Sequence, residues 1–205
     1  SGHRLIRSEK FRRNPSRRTM ESMWSGFSGF IVGIGLSAAC GFRILLPLLG
    51  ISIAALHGYI HLAPEFQWIG TWPALIALAT AALVEIGAYY IPWLDNLLDA
   101  AATPLAVAAG TIAAASVMGD LSPFLRWSLA LIAGGGMAGT IQTGTAILRG
   151  VSTASTGGLA NIFLSTAELA GAALTTLLAL LAPVVAFAAA IIVAVWIVRK
   201  RIKML

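Results

Sequence analysis

The run IFLSTAELAGAALTTLLALLAPVVAFAAAIIVAVWIV, residues 162–198, carries one charge, Glu168, and closes against Arg199-Lys200-Arg201. An α-helix rises about 1.5 Å per residue, and the hydrocarbon core of a bilayer is about 30 Å thick. The run therefore suits one overlong, tilted helix, or a half-helix followed by a full span with Pro183 at the kink or break. A helix apolar on every face over this length is solvated by lipid rather than water.

The rest of the chain follows the same pattern. Its 205 residues are 58% hydrophobic and 11% charged, with mean hydropathy +0.86, whereas a soluble domain is about one quarter charged. Further apolar segments run over 24–42, 44–62, 72–94, 98–118 and 122–148, each the length of one span. Trp24, Trp68, Trp72, Trp93, Trp127 and Trp196 lie near the proposed span ends, where an indole prefers the headgroup level. Pro64, Pro73, Pro92 and Pro123 punctuate the same borders, while Pro47, Pro104 and Pro183 fall inside apolar runs and mark bends.

Charge sets the orientation. Of 14 Lys and Arg, seven precede Met23 and four close the chain, so the net charge of +6 comes from the two ends. Two short basic ends flanking an apolar body suit anionic lipid headgroups and argue against a nucleic-acid partner. Both ends are expected in the cytoplasm, which requires an even number of crossings, and six is the simplest count. The fold class is all-α: a polytopic integral membrane bundle of about six spans, with at least one broken or re-entrant helix. A basic tail at 1–22, a transmembrane domain at 23–198 and a basic tail at 199–205 make up the chain. Loop 63–71 and the turn near Gly119-Asp120 then face the cytoplasm, and the turns near Arg43, Asp95-Asp99 and 149–161 face the opposite side. Ser16-Arg17-Arg18 and Leu36–Cys40 resemble export and lipidation signals, but an uncleaved first span after a basic tail accounts for them.

Small residues four apart at Gly29/Gly33, Gly35/Ala39, Gly134/Ala138 and Ala167/Gly171 predict close packing between helices. One Cys excludes a disulfide framework within the chain. His57 and His61 share helical spacing but have no third strong ligand nearby, so no metal is expected. Asp95 and Asp99 read as a solvated acidic turn. No nucleophile elbow, phosphate loop or dinucleotide fingerprint is present, and neither an enzyme activity nor a cofactor is expected.

Charges within the apolar stretches mark the candidate site. Glu85 is expected at about 12–15 Å below the outer surface, and Arg43 and Arg149 each end a Gly-containing span on that side. Glu168 opens the last segment. A buried carboxylate is costly unless paired, protonated or hydrated, so two ion pairs are predicted from Arg43 or Arg149 with Glu85 or Glu168. The order of Gly-rich span, Arg and later Glu occurs twice, as Arg43…Glu85 and Arg149…Glu168, and suggests a repeated design. Residues 140–161, TIQTGTAILRGVSTASTGGLAN, form the most polar part of the membrane body. Ser152, Thr153, Thr156, Gly157, Gly158 and Asn161 are read as a break before a helix N-terminus, whose free N–H groups would suit an anion or a carboxylate.

The motifs GLSAACGFRILLPLL (35–49), LVEIGAYYIPWLDNLLDAAATPLA (83–106) and LRGVSTASTGGLAN (148–161) resemble those of a bacterial membrane family, domain of unknown function 4126. The resemblance covers about residues 23–198 and implies a polytopic protein of a bacterial inner membrane or an equivalent internal membrane. Two functional readings stay open. One is a small permease or channel-like protein for a small polar or anionic solute. The other is a non-transporting structural or accessory subunit of a larger membrane complex, its partners being lipids and either another membrane protein or further copies of itself.

Overall fold

A computed structural model describes the backbone of residues 15–202 and the side chains of residues 24–91, Leu98 and residues 101–182. The described chain is helical throughout, with no strand: α1 Pro15–Cys40, α2 Leu45–Leu56, a 3-10 segment Pro64–Gly70, α3 Trp72–Ala88, α4 Pro92–Val117, α5 Pro123–Leu129, a π-helical segment Ala130–Gly135, α6 Gly136–Thr156 and α7 Asn161–Ile202. Since α1 begins at Pro15 and α7 reaches Ile202, parts of both expected basic tails are helical. The remaining tail residues, 1–14 and 203–205, lie outside the described residues, as do the side chains of Trp93, Asp95, Asp99 and Trp196.

Local chemistry sets the helix borders. Pro64, Pro73, Pro92 and Pro123 each occupy a first or second helical position, where the missing N–H costs nothing. Thr71 caps α3 by accepting a hydrogen bond from the Ala74 N–H, and Gly157 closes α6 in the left-handed conformation at φ 66°. Of the two readings of the last apolar run the structure takes the continuous helix, whose backbone stays helical through Pro183. One border differs from expectation. The helix holding Arg149 continues to Thr156, because Ser and Thr hydroxyls bond back to carbonyls one turn earlier instead of opening a loop.

Burial is inverted relative to a soluble protein. The interior is built from small residues such as Ala39, Ala106, Ala113 and Ala138, while Ile76, Leu83, Ile132, Ile147 and Phe163 stand exposed. A water-facing surface with so much contiguous apolar area would aggregate, whereas lipid solvates it. Among the described residues, a helix of 34 residues (Pro123–Thr156) and a 22-residue stretch of α7 (Asn161–Ala182) are long and apolar enough to cross a membrane. The 3-10 segment and α3 would together form a third crossing element, bent by 69°. Six separate spans therefore do not follow from helix lengths. In particular α2, with 12 residues, reaches only about 18 Å, because the chain turns at His57-Gly58 instead of continuing to residue 62.

The expected small-residue contacts form within the chain. Gly29 and Gly33 of α1 lie on Val117 and Ala114 of α4, and Gly35 faces Ala179 of α7. At the centre, Gly110 of α4 and Gly134 of the π segment pack backbone to backbone, and the Ser37 hydroxyl reaches the carbonyls of Gly33 (2.8 Å) and Gly110 (2.6 Å).

Two ends of the bundle emerge. One gathers the α1–α2 turn, the end of α3 and the α6–α7 hairpin. The other gathers Ala63, Glu65, Gly119 and Arg126, with the Ala63 N–H donating to the Ser116 carbonyl (2.8 Å) and Arg126 Nη2 to Glu65 Oε1 (2.5 Å). The two loops expected on the cytoplasmic side thus meet, and the exposed Trp24, Trp68, Trp72 and Trp127 accompany them. Glu65 is held below the usual carboxylate range, first by a bond from its own backbone N–H; burial opposes this, and Arg126 adds to it. A lowered carboxylate stabilises the fold above its unfolded value, and that contribution disappears as pH falls through the folded one. The stability difference between wild type and Glu65→Gln, measured by denaturation across acidic pH, is therefore expected to shrink on acidification.

Candidate functional site

Arg43 follows α1 in the turn to α2, is 1% exposed, and aims its guanidinium at the α6–α7 hairpin. Its Nη2 donates to the Ser165 carbonyl at 2.9 Å and lies 3.8 Å from Glu168 Oε2. Arg149 reaches the same carboxylate from α6. Its Nε donates to Glu168 Oε1 at 3.0 Å and its Nη2 to Oε2, giving a two-pronged pair buried on both sides. The Tyr89 ring, at the end of α3, sits beneath both cations, 3.8 Å from the Arg43 guanidinium carbon and 4.4 Å from that of Arg149. Each such cation–π contact contributes about 0.5–2 kcal/mol and lets two like charges share one wall.

The hairpin places these groups in register. Arg149 lies seven residues before Thr156 and Glu168 seven after Asn161, which puts the pair about 10 Å below the turn. One helical turn nearer the hairpin, Ser152 and Ser165 face inward from the two helices, both buried. α6 and α7 diverge below, and the end of α1 fills the gap: Gly41 lies against Ala138 and Ile141 of α6, and the Phe42 ring against Gly171 of α7.

Donors outnumber acceptors in this buried cluster. Arg43 Nε and Nη1, Ser152 Oγ and Ser165 Oγ are buried without a hydrogen-bond partner among the described residues. Buried donors left unmade cost about 1–3 kcal/mol each, more on a charged group, so a further acceptor here would be stabilising.

The two glutamates divide the predicted work differently. Glu168 serves both arginines. Glu85 pairs with neither; its carboxylate accepts the backbone N–H groups of Ile44 (2.8 Å) and Leu45 (2.9 Å). These are free donors at the start of α2, where a negative charge also meets the positive end of the helix dipole. The expected pairing of Glu85 with arginine is thus replaced by helix capping, because α2 starts directly beyond Arg43. Glu85→Ala is expected to cost about 1–3 kcal/mol, seen as a lower unfolding midpoint in detergent, with Glu85→Gln recovering part of the loss.

The predicted break falls at Gly157-Gly158, ahead of the helix start at Asn161, and the residues before it are helical. Ser152, Thr153 and Thr156 are helical, and Gly157 and Gly158 make a tight left-handed turn. Around the start of α7, the Ala160 N–H donates to Thr156 Oγ1, that of Asn161 to the Gly158 carbonyl, and those of Phe163 and Leu164 to the Ala160 carbonyl. The Asn161 amide donates to Thr153 Oγ1. The buried side-chain N–H donors left without a hydrogen-bond partner in this cluster are on Arg43 and not at this helix terminus. His57 and His61 are exposed, and α2 stops at Leu56 before either, so they do not share a helical face. Among the described residues no group of three or more His, Cys, Asp or Glu is placed to hold a metal ion.

No curated protein and no solved structure matches the chain. Residues 30–201 do match the family described as "Domain of unknown function (DUF4126)", a stretch that holds every charged residue of this pocket. By that match over most of its length, the chain belongs to the DUF4126 family.

Proposed function

We propose that the protein is a permease or channel-like membrane protein for a small polar or anionic solute, which binds beside Arg43 from the hairpin end of the bundle. The observation that carries this reading is the Arg43 guanidinium itself, 1% exposed yet with Nε and Nη1 unpartnered. Arg149 and Glu168 form the wall of the site, and Ser152 and Ser165 lead to it from the turn. In this reading the chain crosses a bacterial inner or equivalent internal membrane six times, with both termini cytoplasmic. The short α2 completes its crossing with residues 57–63, of which Ala63 is buried and bonded to Ser116 of α4. Osmotic swelling of proteoliposomes in a panel of small polar and anionic solutes tests this. Wild type is expected to accelerate swelling for one class of solute, and Arg43→Gln to abolish that while retaining the fold. Equal rates in protein-containing and empty liposomes for every solute reject the reading.

A second reading has its own observation. Between α4 and α6 an open groove of about 490 Å³ is lined by Thr103 and Val107 on one side and Gly136, Gly139, Thr140 and Thr143 on the other. Small residues of this kind allow a neighbouring helix to approach closely, as an accessory subunit of a larger complex requires. Gentle extraction followed by sizing and mass spectrometry decides it: a stoichiometric companion supports the subunit, and a lone monomer or homo-oligomer rejects it.

A further inference from the structure

Charge balance around Glu168 restricts what the pocket accepts and on what terms. Among the described residues, the charged and titratable groups around it are Arg43 in the α1–α2 turn, Arg149 on α6, Tyr89 and Glu85 on α3, and Cys40 at the end of α1. Two guanidiniums stand against two carboxylates, so the cluster is neutral as it is. An anion entering beside Arg43 would leave one uncompensated negative charge away from water, at a cost of several kcal/mol. The same anion accompanied by one proton leaves the balance unchanged.

The occupant already in the pocket indicates the ligand class. Glu168 presents a carboxylate to the Nε and Nη2 edge of Arg149 and to Arg43. That geometry is the one a planar carboxylate favours with arginine. We propose that the site binds a small monocarboxylate together with one proton: the proton goes to a Glu168 oxygen, Glu168 releases Arg149 as a neutral acid, and the ligand carboxylate takes its place between Arg149 and Arg43. The neutral acid gains a donor of its own, and the Ser165 hydroxyl, one turn away on α7 and without a partner, is placed to accept it. The proton comes from water at the hairpin end and no covalent bond other than O–H is formed. The inference rests on the solute-binding reading above and specifies its ligand and its coupling ion.

Lactate is the probe. The protein in lipid nanodiscs, in weakly buffered solution, is titrated with radiolabelled lactate while proton uptake is followed with a pH electrode. Wild type is expected to take up about one proton per lactate bound, and its apparent affinity to weaken about tenfold per unit rise in pH. Glu168→Gln, which keeps an acceptor for Arg149 but carries no charge, is expected to bind lactate without proton uptake and without pH dependence. Lactate binding by wild type with no proton taken up overturns the coupling while leaving a solute site in place. Absence of lactate binding in both proteins across the pH range overturns the ligand class, and the solute panel then judges the broader reading on its own.

Discussion

Replacing Arg149 by Ala is expected to destabilise the protein by about 3–5 kcal/mol, the largest single effect in the described residues, because it leaves the Glu168 carboxylate buried with only Arg43 at 3.8 Å. Removing both partners costs less than removing one. In the double variant Arg149→Leu, Glu168→Leu no carboxylate is left uncompensated, and Arg43 keeps the Ser165 carbonyl and the Tyr89 ring. Chemical denaturation of Arg149→Leu, Glu168→Leu and the double variant in the same detergent should give a coupling of about 2–3 kcal/mol. Simple additivity would show that the pair contributes nothing as a pair. A flux assay of Arg149→Ala alone would confuse lost function with lost fold, which is why Arg43, more loosely bound to Glu168, is the better functional probe.

The second large effect is steric. A Cβ at Gly134 would lie 2.7 Å from the Ala114 Cβ, 2.9 Å from Ser37 Oγ and 3.0 Å from the Gly110 carbonyl. Two of those neighbours are fixed to backbone, so Gly134→Ala must push α4 away from the π segment and is expected to cost about 1–3 kcal/mol. Gly136 lies two residues along and would meet nothing within 4 Å. Gly136→Ala is therefore expected to be neutral or to stabilise by up to about 1 kcal/mol through helix propensity. Unfolding midpoints of the two variants, measured side by side, separate crowding from a general intolerance of change in this Gly-rich segment.

Much of this architecture is legible in the sequence because lipid imposes a simple pattern. The apolar run at 162–198, the prolines at 64, 73, 92 and 123 and the Gly29/Gly33 pair are each met by a helix, a helix start or a close contact. Borders set by side-chain hydrogen bonding were harder to read. The Ser and Thr residues at 152–156 look like loop formers, but on a helix already in progress their hydroxyls fold back onto carbonyls and let it continue. The early end of α2 carries only a weak mark, Gly58 at φ 74°.

In the site, the residue types were readable and the partners were not. Arg43, Arg149 and Glu168 announce themselves as charges in apolar surroundings, and all three meet. Which glutamate serves which arginine depends on how α2 and α3 pack, and nothing in the spacing reveals that Glu85 caps a helix 40 residues away. The role of Tyr89 beneath the two arginines leaves no mark in the sequence, because an aromatic at a span end is ordinary in a membrane protein. Ser165 could have been found: it precedes Glu168 by three residues, as Ser152 follows Arg149 by three, so an antiparallel pairing of the helices brings the two hydroxyls together.

The central claim is that the pocket at Arg43 is reached by solute and is more than a dry lock between helices. Thiol accessibility tests it most directly, since the lone Cys40 is buried and can be replaced by Ala to leave no background. Ser165→Cys in that Cys40→Ala protein, held in sealed vesicles, would be treated with a small anionic methanethiosulfonate from one side and then the other. The account predicts modification from the hairpin side only, slowed by a saturating small anion. A thiol at 165 that reacts from neither side until the protein is denatured would contradict it.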